Sequence, residues 1–101
     1  MDRPVAGGIR ITRVRTTKRF EKDYKKLPDV IKDQVDICLR LLLDDPMPGR
    51  LRFEKLNGYR NPNIYSIHVT RNHSHKLTLE IEDNVATLRR VGTHKTIDRS
   101  P

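Results

Sequence analysis

Apolar residues in this chain keep two different periods in two different halves, and that switch constrains the fold more than any other feature. From Asp29 to about Leu43, Ile31, Val35, Cys38, Leu39 and Leu42 recur at three- and four-residue spacing, widened by Ile37 and Leu41. That is the period of a helix with one buried face. From Ile64 onward the spacing drops to two. Tyr65, Ile67 and Val69 alternate with Ser66, His68 and Thr70, and Leu77, Leu79 and Ile81 alternate with Lys76, Thr78, Glu80 and Glu82. A period of two sorts residues onto the two faces of a strand. Helices therefore precede a sheet whose apolar face they must cover.

Boundaries follow from the residues between these segments. Residues 9–15 (IRITRVR) are rich in β-branched side chains and suggest a first strand. Thr16 or Thr17 can cap a first helix, on which Phe20, Tyr24 and Leu27 share one face and Lys18, Arg19, Lys22, Lys25 and Lys26 face water. Pro28 ends that helix and opens the next, and Asp44-Asp45-Pro46 closes it, so residues 18–44 read as a helical hairpin. Residues 46–63 show no clear period and contain three prolines and two glycines, with Leu51, Phe53 and Leu56 available to pin the loop to the body. So long a loop in a small domain is often functional. Strands are expected at 64–71, 76–82 and 85–91, with a turn at Glu82-Asp83-Asn84. The resulting fold class is α+β, in the order β-α-α-β-β-β, with an N-terminal helical hairpin packed on one face of an antiparallel four-stranded sheet. Residues 1–101 form a single domain, of which 1–8 are a flexible lead-in.

Charge narrows the partners. Lys and Arg number 21 against 13 Asp and Glu, a formal charge of +8, which attracts nucleic acid, an anionic membrane or an acidic protein. No apolar run approaches the 18 or more residues of a spanning helix, the longest being Leu41-Leu42-Leu43 and its flanks, so no membrane is expected. Met1-Asp2-Arg3-Pro4 has no apolar signal core behind it, and the one cysteine, Cys38, sits on an apolar helix face without an internal disulfide partner. These features point to the cytoplasm.

The alternation also sorts the polar residues. With Ile67, Val69, Leu77, Leu79 and Ile81 toward the helices, His68 and Lys76 project from the opposite, open face. The basic loop carrying Arg50, Arg52 and Lys55 passes near one sheet edge, and Arg89, Arg90 and His94 lie on or just beyond the last strand. Any one of these reads alone as a solvated charge; their concentration favours a site. All four histidines, His68, His73, His75 and His94, fall in the last third of the chain, near strand residues or strand ends. His73 and His75, two apart, could share a metal ion on one strand face, but no obvious further ligands accompany them beyond His68 or His94. Neither a metal nor a small-molecule cofactor is expected.

Read in order, FEKDYKKLPDVIKDQVDICLRLLLDDP, LRFEKLNGY and YSIHVTRNHSHKLTLEIEDNVATLRRVGTH resemble the RelE/ParE toxin superfamily, from about Ile9 to Ile97. The most specific parts are the helix opening F-x-K-D-Y-K-K-L-P, the K-L-x-G loop at Lys55, Leu56 and Gly58, and the closing R-x-G-T-H from Arg90 to His94. The resemblance implies a toxin of a type II toxin–antitoxin system. It implies metal-independent endoribonuclease activity on mRNA engaged by the ribosome, and an acidic antitoxin as partner. By the same resemblance, His94 matches a closing histidine that serves as general acid or base. Lys76 stands where members often carry an arginine, Arg90 is the basic residue before the glycine, and His68 is a second proton-transfer candidate. Arg50, Arg52, Lys55, Arg71, His73, His75 and Arg89 complete the expected phosphate-binding set. Two departures stand out: Lys76 offers a point charge in place of a bidentate fork, and no tyrosine follows His94. Two other functions fit the same charge. One is inhibition of DNA gyrase, the second activity of the superfamily. The other is non-catalytic RNA binding, although zinc spacing and a supply of aromatics for stacking on bases are both missing.

Overall fold

The computed structural model describes residues 9–44 and 46–101. The expected lead-in over 1–8, and Asp45 of the helix-closing triplet, lie outside them. Along the described chain run β1 (Arg13–Thr16), α1 (Lys18–Lys25), α2 (Asp29–Leu42), a 3-10 turn (Gly49–Leu51), β2 (Glu54–Lys55), β3 (Tyr65–His68), β4 (His75–Glu82), β5 (Val85–Thr93) and α3 (His94–Arg99).

Local chemistry sets the helix boundaries. Thr17 caps α1: its hydroxyl accepts from the Phe20 N–H at 3.1 Å and donates to the Leu88 carbonyl at 2.9 Å. One side chain thus satisfies an orphan helix donor and ties the helix start to β5. Pro28 occupies the N-cap of α2 in the extended region, where its missing N–H leaves no helical bond unmade. The hairpin buries Phe20 from α1 and Val35, Cys38 and Leu42 from α2. These pack with Ile67, Leu77, Leu79 and Leu88 of the sheet in one core.

Between β4 and β5, Asp83 and Asn84 have φ of +52° and +67°. This is the two-residue hairpin turn whose twist suits the paired strands. Farther along the pair, Thr78 lies opposite Arg90 while Leu79 lies opposite Leu88, leaving Arg89 as an extra residue. That bulge keeps Leu88 and Val91 both buried on the core side, with two arginines between them.

Three features depart from the sequence expectation. The described sheet has five strands in the order β1-β5-β4-β3-β2, and β1 runs parallel to β5 instead of joining an antiparallel set of four. A parallel pair needs a long connection, and here it is the helical hairpin together with β2, β3 and β4, all of which lie between β1 and β5 in the chain. Within the expected loop 46–63, β2 pairs Glu54 with Ser66 and Lys55 with Tyr65, an element too short to show a period. The largest difference is α3, which lies on the sheet face opposite the hairpin. Ile97, 1% exposed, packs over Gly92, where an added Cβ would meet Ile97 Cδ1 at 3.7 Å. The Thr78 hydroxyl donates to the Pro101 carbonyl at 2.8 Å. The face expected to be open is therefore covered, and Ser66, Lys76 and Thr78 on it are buried. Among the described residues, no helix is long and apolar enough to cross a membrane.

Candidate functional site

Strand register places His68 opposite Lys76, and Lys76 opposite Gly92, in a row across the face that α3 covers. β5 runs straight into α3, whose N-cap Thr93 accepts from the Thr96 N–H at 3.3 Å. The change of direction brings His94, the first residue of α3, beside that row, with its ring centroid 6.2 Å from that of His68. The His94 N–H donates to the Ser74 carbonyl at 2.9 Å, fastening the helix start to the β3–β4 loop. In that loop His73 adopts φ +61°, and its ring lies against His68 with centroids 4.3 Å apart. Three imidazoles from a strand, a loop and a helix start thus meet at one end of the sheet.

Cations reach the same place from the loop after α2. Arg50 and Arg52 from that loop, and Arg71 from the β3–β4 loop, line a cleft of about 280 Å³ with His68 and His73. Leu51, fully buried between the first two arginines, anchors the 3-10 turn, and Arg52 ends it in the left-handed region with φ +50°. Beneath the cleft the Cys38 thiol approaches the His68 and Val69 carbonyls at 3.8 and 3.5 Å. Burial pushes that thiol's pKa up, with Arg50 opposing, and Cys38 is part of the core. A larger groove between α1 and α2, lined by Phe20, Tyr24 and Leu39, contains no histidine. Two acids there are engaged, Glu21 by Thr16 and Asp36 by Tyr24.

Burial, and then the charges of His73, Lys76 and Arg52, hold the His68 imidazole below its ordinary pKa of 6.5, with Glu54 opposing. Its buried Nδ1 has no hydrogen-bond partner among the described residues. Burial also lowers His75, whose Nδ1 lies 2.7 Å from the Ser74 hydroxyl. A histidine whose folded pKa is depressed takes up a proton more readily when unfolded. The unfolded state therefore binds more protons below about pH 6.5, and stability is complete above that value and falls as the pH drops. Urea midpoints followed from about pH 7.5 down to about pH 5 should fall, and fall less steeply in His68→Gln. An equal slope in that variant would place the acid loss on other groups.

The remaining expected site residues divide. Lys76, its side chain 8% exposed, is turned to Asp98 at 3.0 Å and does not project from an open face as the alternation suggested. The cause is the covering helix, which strand alternation does not reveal. Lys55 is exposed on edge strand β2 and does not line the cleft. Arg89 pairs with Glu80 and also donates to the Pro101 carbonyl at 3.4 Å. Arg90 forms a two-pronged pair with Asp23 at 3.0 and 3.2 Å. Both arginines border a separate hollow with Thr17 and Arg19. His75 alternates with Lys76 and so lies on the helix side of the sheet, while His73 sits against His68; the two do not share a strand face. Among the described residues, no group of three or more His, Cys, Asp or Glu side chains is placed to hold a metal ion. Asp98, which contacts both Lys76 and His94, escapes the sequence reading. Its only signal was the four-residue spacing from His94 on a helix that was not expected.

A family model described as the ParE toxin of the type II toxin–antitoxin system, parDE, matches residues 14–97, most of the chain. The chain belongs to this toxin family. The RelB–RelE antitoxin–toxin complex of Methanococcus jannaschii contains a chain to which the toxin is 26% identical. That match has a TM-score of 0.67 and covers 86% of the toxin and 99% of the other chain. The Escherichia coli DinJ–YafQ toxin–antitoxin complex matches at 22% identity and TM-score 0.69, covering 86% and 98%. YafQ from E. coli strain BL21(DE3) matches at 19% identity and TM-score 0.68, covering 83% and 94%. At those lower identities the likeness shows the shared fold. Comparison with curated sequences returned no match. The toxin thus has the RelE-like α+β fold, with its histidine cluster at the sheet end where α3 begins.

Proposed function

We propose that this toxin is an endoribonuclease that cuts mRNA on the ribosome, in the cytoplasm, and is silenced by an acidic antitoxin. The observation that carries the reading is the meeting of His68, His73 and His94 beside a cleft lined by Arg50, Arg52 and Arg71. Proton-transfer groups and phosphate-binding groups are the two things RNA cleavage needs at one point. A base removes the proton from a ribose 2′-hydroxyl, and the oxygen attacks the adjacent phosphorus. The bond from phosphorus to the 5′-oxygen breaks, and an acid returns a proton to that oxygen. Products are a cyclic phosphate and a free 5′-hydroxyl, with no metal required.

The lowered pKa of His68 keeps its ring neutral near pH 7 and suits it to accept the first proton. His94, half-exposed at the helix start, supplies the second transfer. Arg50 and Arg52 bind phosphate and stabilise charge on the phosphoryl oxygens as it develops. Arg71 and His73 extend that surface, and Lys76 acts on the site through Asp98. The antitoxin-bound relatives named above support a protein partner, and the +8 charge favours an acidic one.

Arg52→Gln should weaken RNA binding across all sequences alike. On a single strand it should flatten the dependence of log K on log salt by roughly 0.7, the value of one phosphate contact. An unchanged slope would take Arg52 out of the phosphate set. The function itself is tested by adding the purified toxin to mRNA in a reconstituted translation reaction and mapping cut ends. New 5′-hydroxyl ends support the nuclease. Intact RNA together with poisoning of purified gyrase would transfer the toxin to the gyrase-inhibiting reading, and intact RNA with salt-sensitive binding alone would leave an RNA-binding module.

A further inference from the structure

We propose that Asp98 is a positioning residue for His94, holding its imidazole with the proton on Nδ1 and leaving Nε2 for the substrate. The catalytic consequence rests on the ribonuclease reading; the geometry does not. Asp98 Oδ2 lies 2.8 Å from His94 Nδ1, and Asp98 Oδ1 lies 3.0 Å from Lys76 Nζ. A carboxylate oxygen this close to Nδ1 is repelled by a nitrogen lone pair and attracted by an N–H, so the contact favours the hydrogen on Nδ1.

An exposed pair of this kind, four residues apart on a helix, ordinarily does little. Two features set this one apart. The first is that the carboxylate is fastened from behind by a buried lysine, so its free oxygen is already aimed when the ring arrives. α3 is itself held at its start by the bond from the His94 N–H to Ser74, and on its underside by Ile97 over Gly92. The second is that the oriented ring belongs to the histidine cluster, 6.2 Å from His68. A free neutral imidazole favours the proton on Nε2, the form that cannot accept there. Asp98 reverses that preference. It also places a negative charge against the imidazolium that forms whenever Nε2 carries a proton as well, as carboxylates do for histidines in hydrolytic triads. Asp98 supplies the counter-charge that the nearly buried Lys76 needs, and that pairing holds the carboxylate in place.

The test reads the tautomer directly. Long-range ¹H–¹⁵N correlation spectra of the full chain, taken at about pH 8 where an ordinary histidine is neutral, should show His94 protonated on Nδ1. Asp98→Ala should move the proton to Nε2. Thr78→Val removes a different bond between the chain end and the sheet and should leave the native signature in place. In RNA cleavage, Asp98→Asn should lower the rate by about 10- to 100-fold, the usual effect of losing a group that orients a catalytic side chain. In a His94→Ala background the same change should add less than about twofold, since residues acting as a unit are not additive. A native His94 protonated on Nε2, a tautomer indifferent to Asp98→Ala, or losses that multiply in the double variant would each overturn the proposal. A native toxin that cuts no RNA would remove the ribonuclease reading instead, while the tautomer would still decide whether Asp98 orients His94.

Discussion

Replacing His94 with alanine should leave the toxin at least about a hundredfold slower at cutting RNA, the usual size of effect for a general acid–base residue, while RNA binding keeps its native salt dependence. The two halves of this expectation come from different parts of the site. In the proposed mechanism binding belongs to Arg50 and Arg52, on and just after the 3-10 turn, in a different element from α3. In that mechanism proton transfer belongs to His94, whose side chain is 47% exposed, so its loss opens no cavity and should change stability by no more than about 0.5 kcal/mol. A fall in cleavage without a fall in urea midpoint or in affinity is therefore the signature of lost chemistry. A drop of less than about tenfold, well below what removing a general acid–base group normally does, would transfer the role to His68 and His73.

How much of this was legible in the sequence depended on whether a feature has a period of its own. The helical stripe through Val35, Cys38 and Leu42 and the alternation through Ile67, Leu77 and Leu79 predict the elements that form, because burial of one face imposes spacing on the residues that provide it. The direction and partner of β1 were not legible. Four residues carry no mark of whether their neighbour runs parallel or antiparallel, and the answer depends on where β5, the last strand, comes to lie: beside β1, which forms the opposite edge of the sheet from β2. α3, with six residues, is too short to display a stripe. Its only signals were a capping threonine and one apolar side chain, Ile97.

That one missed element accounts for most of what the sequence did not reveal about the site. Alternation places Lys76 on the face away from the hairpin, and it is there, but a period of two says nothing about what lies over that face. With α3 covering it, Lys76 becomes the buried partner of Asp98. The position of His94 depends on the same turn into α3. The clustering of His68 and His94 at one end of the sheet could be expected from their places near strand ends. The position of His73 could not, because its left-handed backbone, unusual for a residue other than glycine, decides where its ring goes. Arg89 and Arg90 are adjacent in sequence but diverge at the bulge, one toward Glu80 and the other toward Asp23. A strand without the bulge would have given a different division.

Asp23→Ala should be the most destabilising change on the helix hairpin's polar side, at about 3 kcal/mol. β1 pairs with β5 only as far as Thr16 opposite Leu88, and beyond that point no strand among the described residues takes the Val91 N–H. Asp23 takes its place from α1, accepting from the Val91 N–H at 3.3 Å while gripping the Arg90 guanidinium with both oxygens. The two side chains are 12% and 13% exposed, so neither group regains much water when the other is removed. Alanine at 23 leaves a nearly buried cation whose remaining bond is to the Ser100 carbonyl at 3.1 Å, and it strips a sheet donor of its acceptor. With a urea m-value of roughly 1–2 kcal/mol/M for a chain of this size, the midpoint should drop by about 2 M. Asp23→Asn, which keeps an acceptor for Val91, should lose clearly less. Adding Arg90→Met to Asp23→Ala should recover part of the loss by removing the stranded charge. A loss under about 0.5 kcal/mol in Asp23→Ala would instead class the pair with solvent-screened surface bridges. The Thr17 cap and the Phe20 contact would then be what holds α1 against β5.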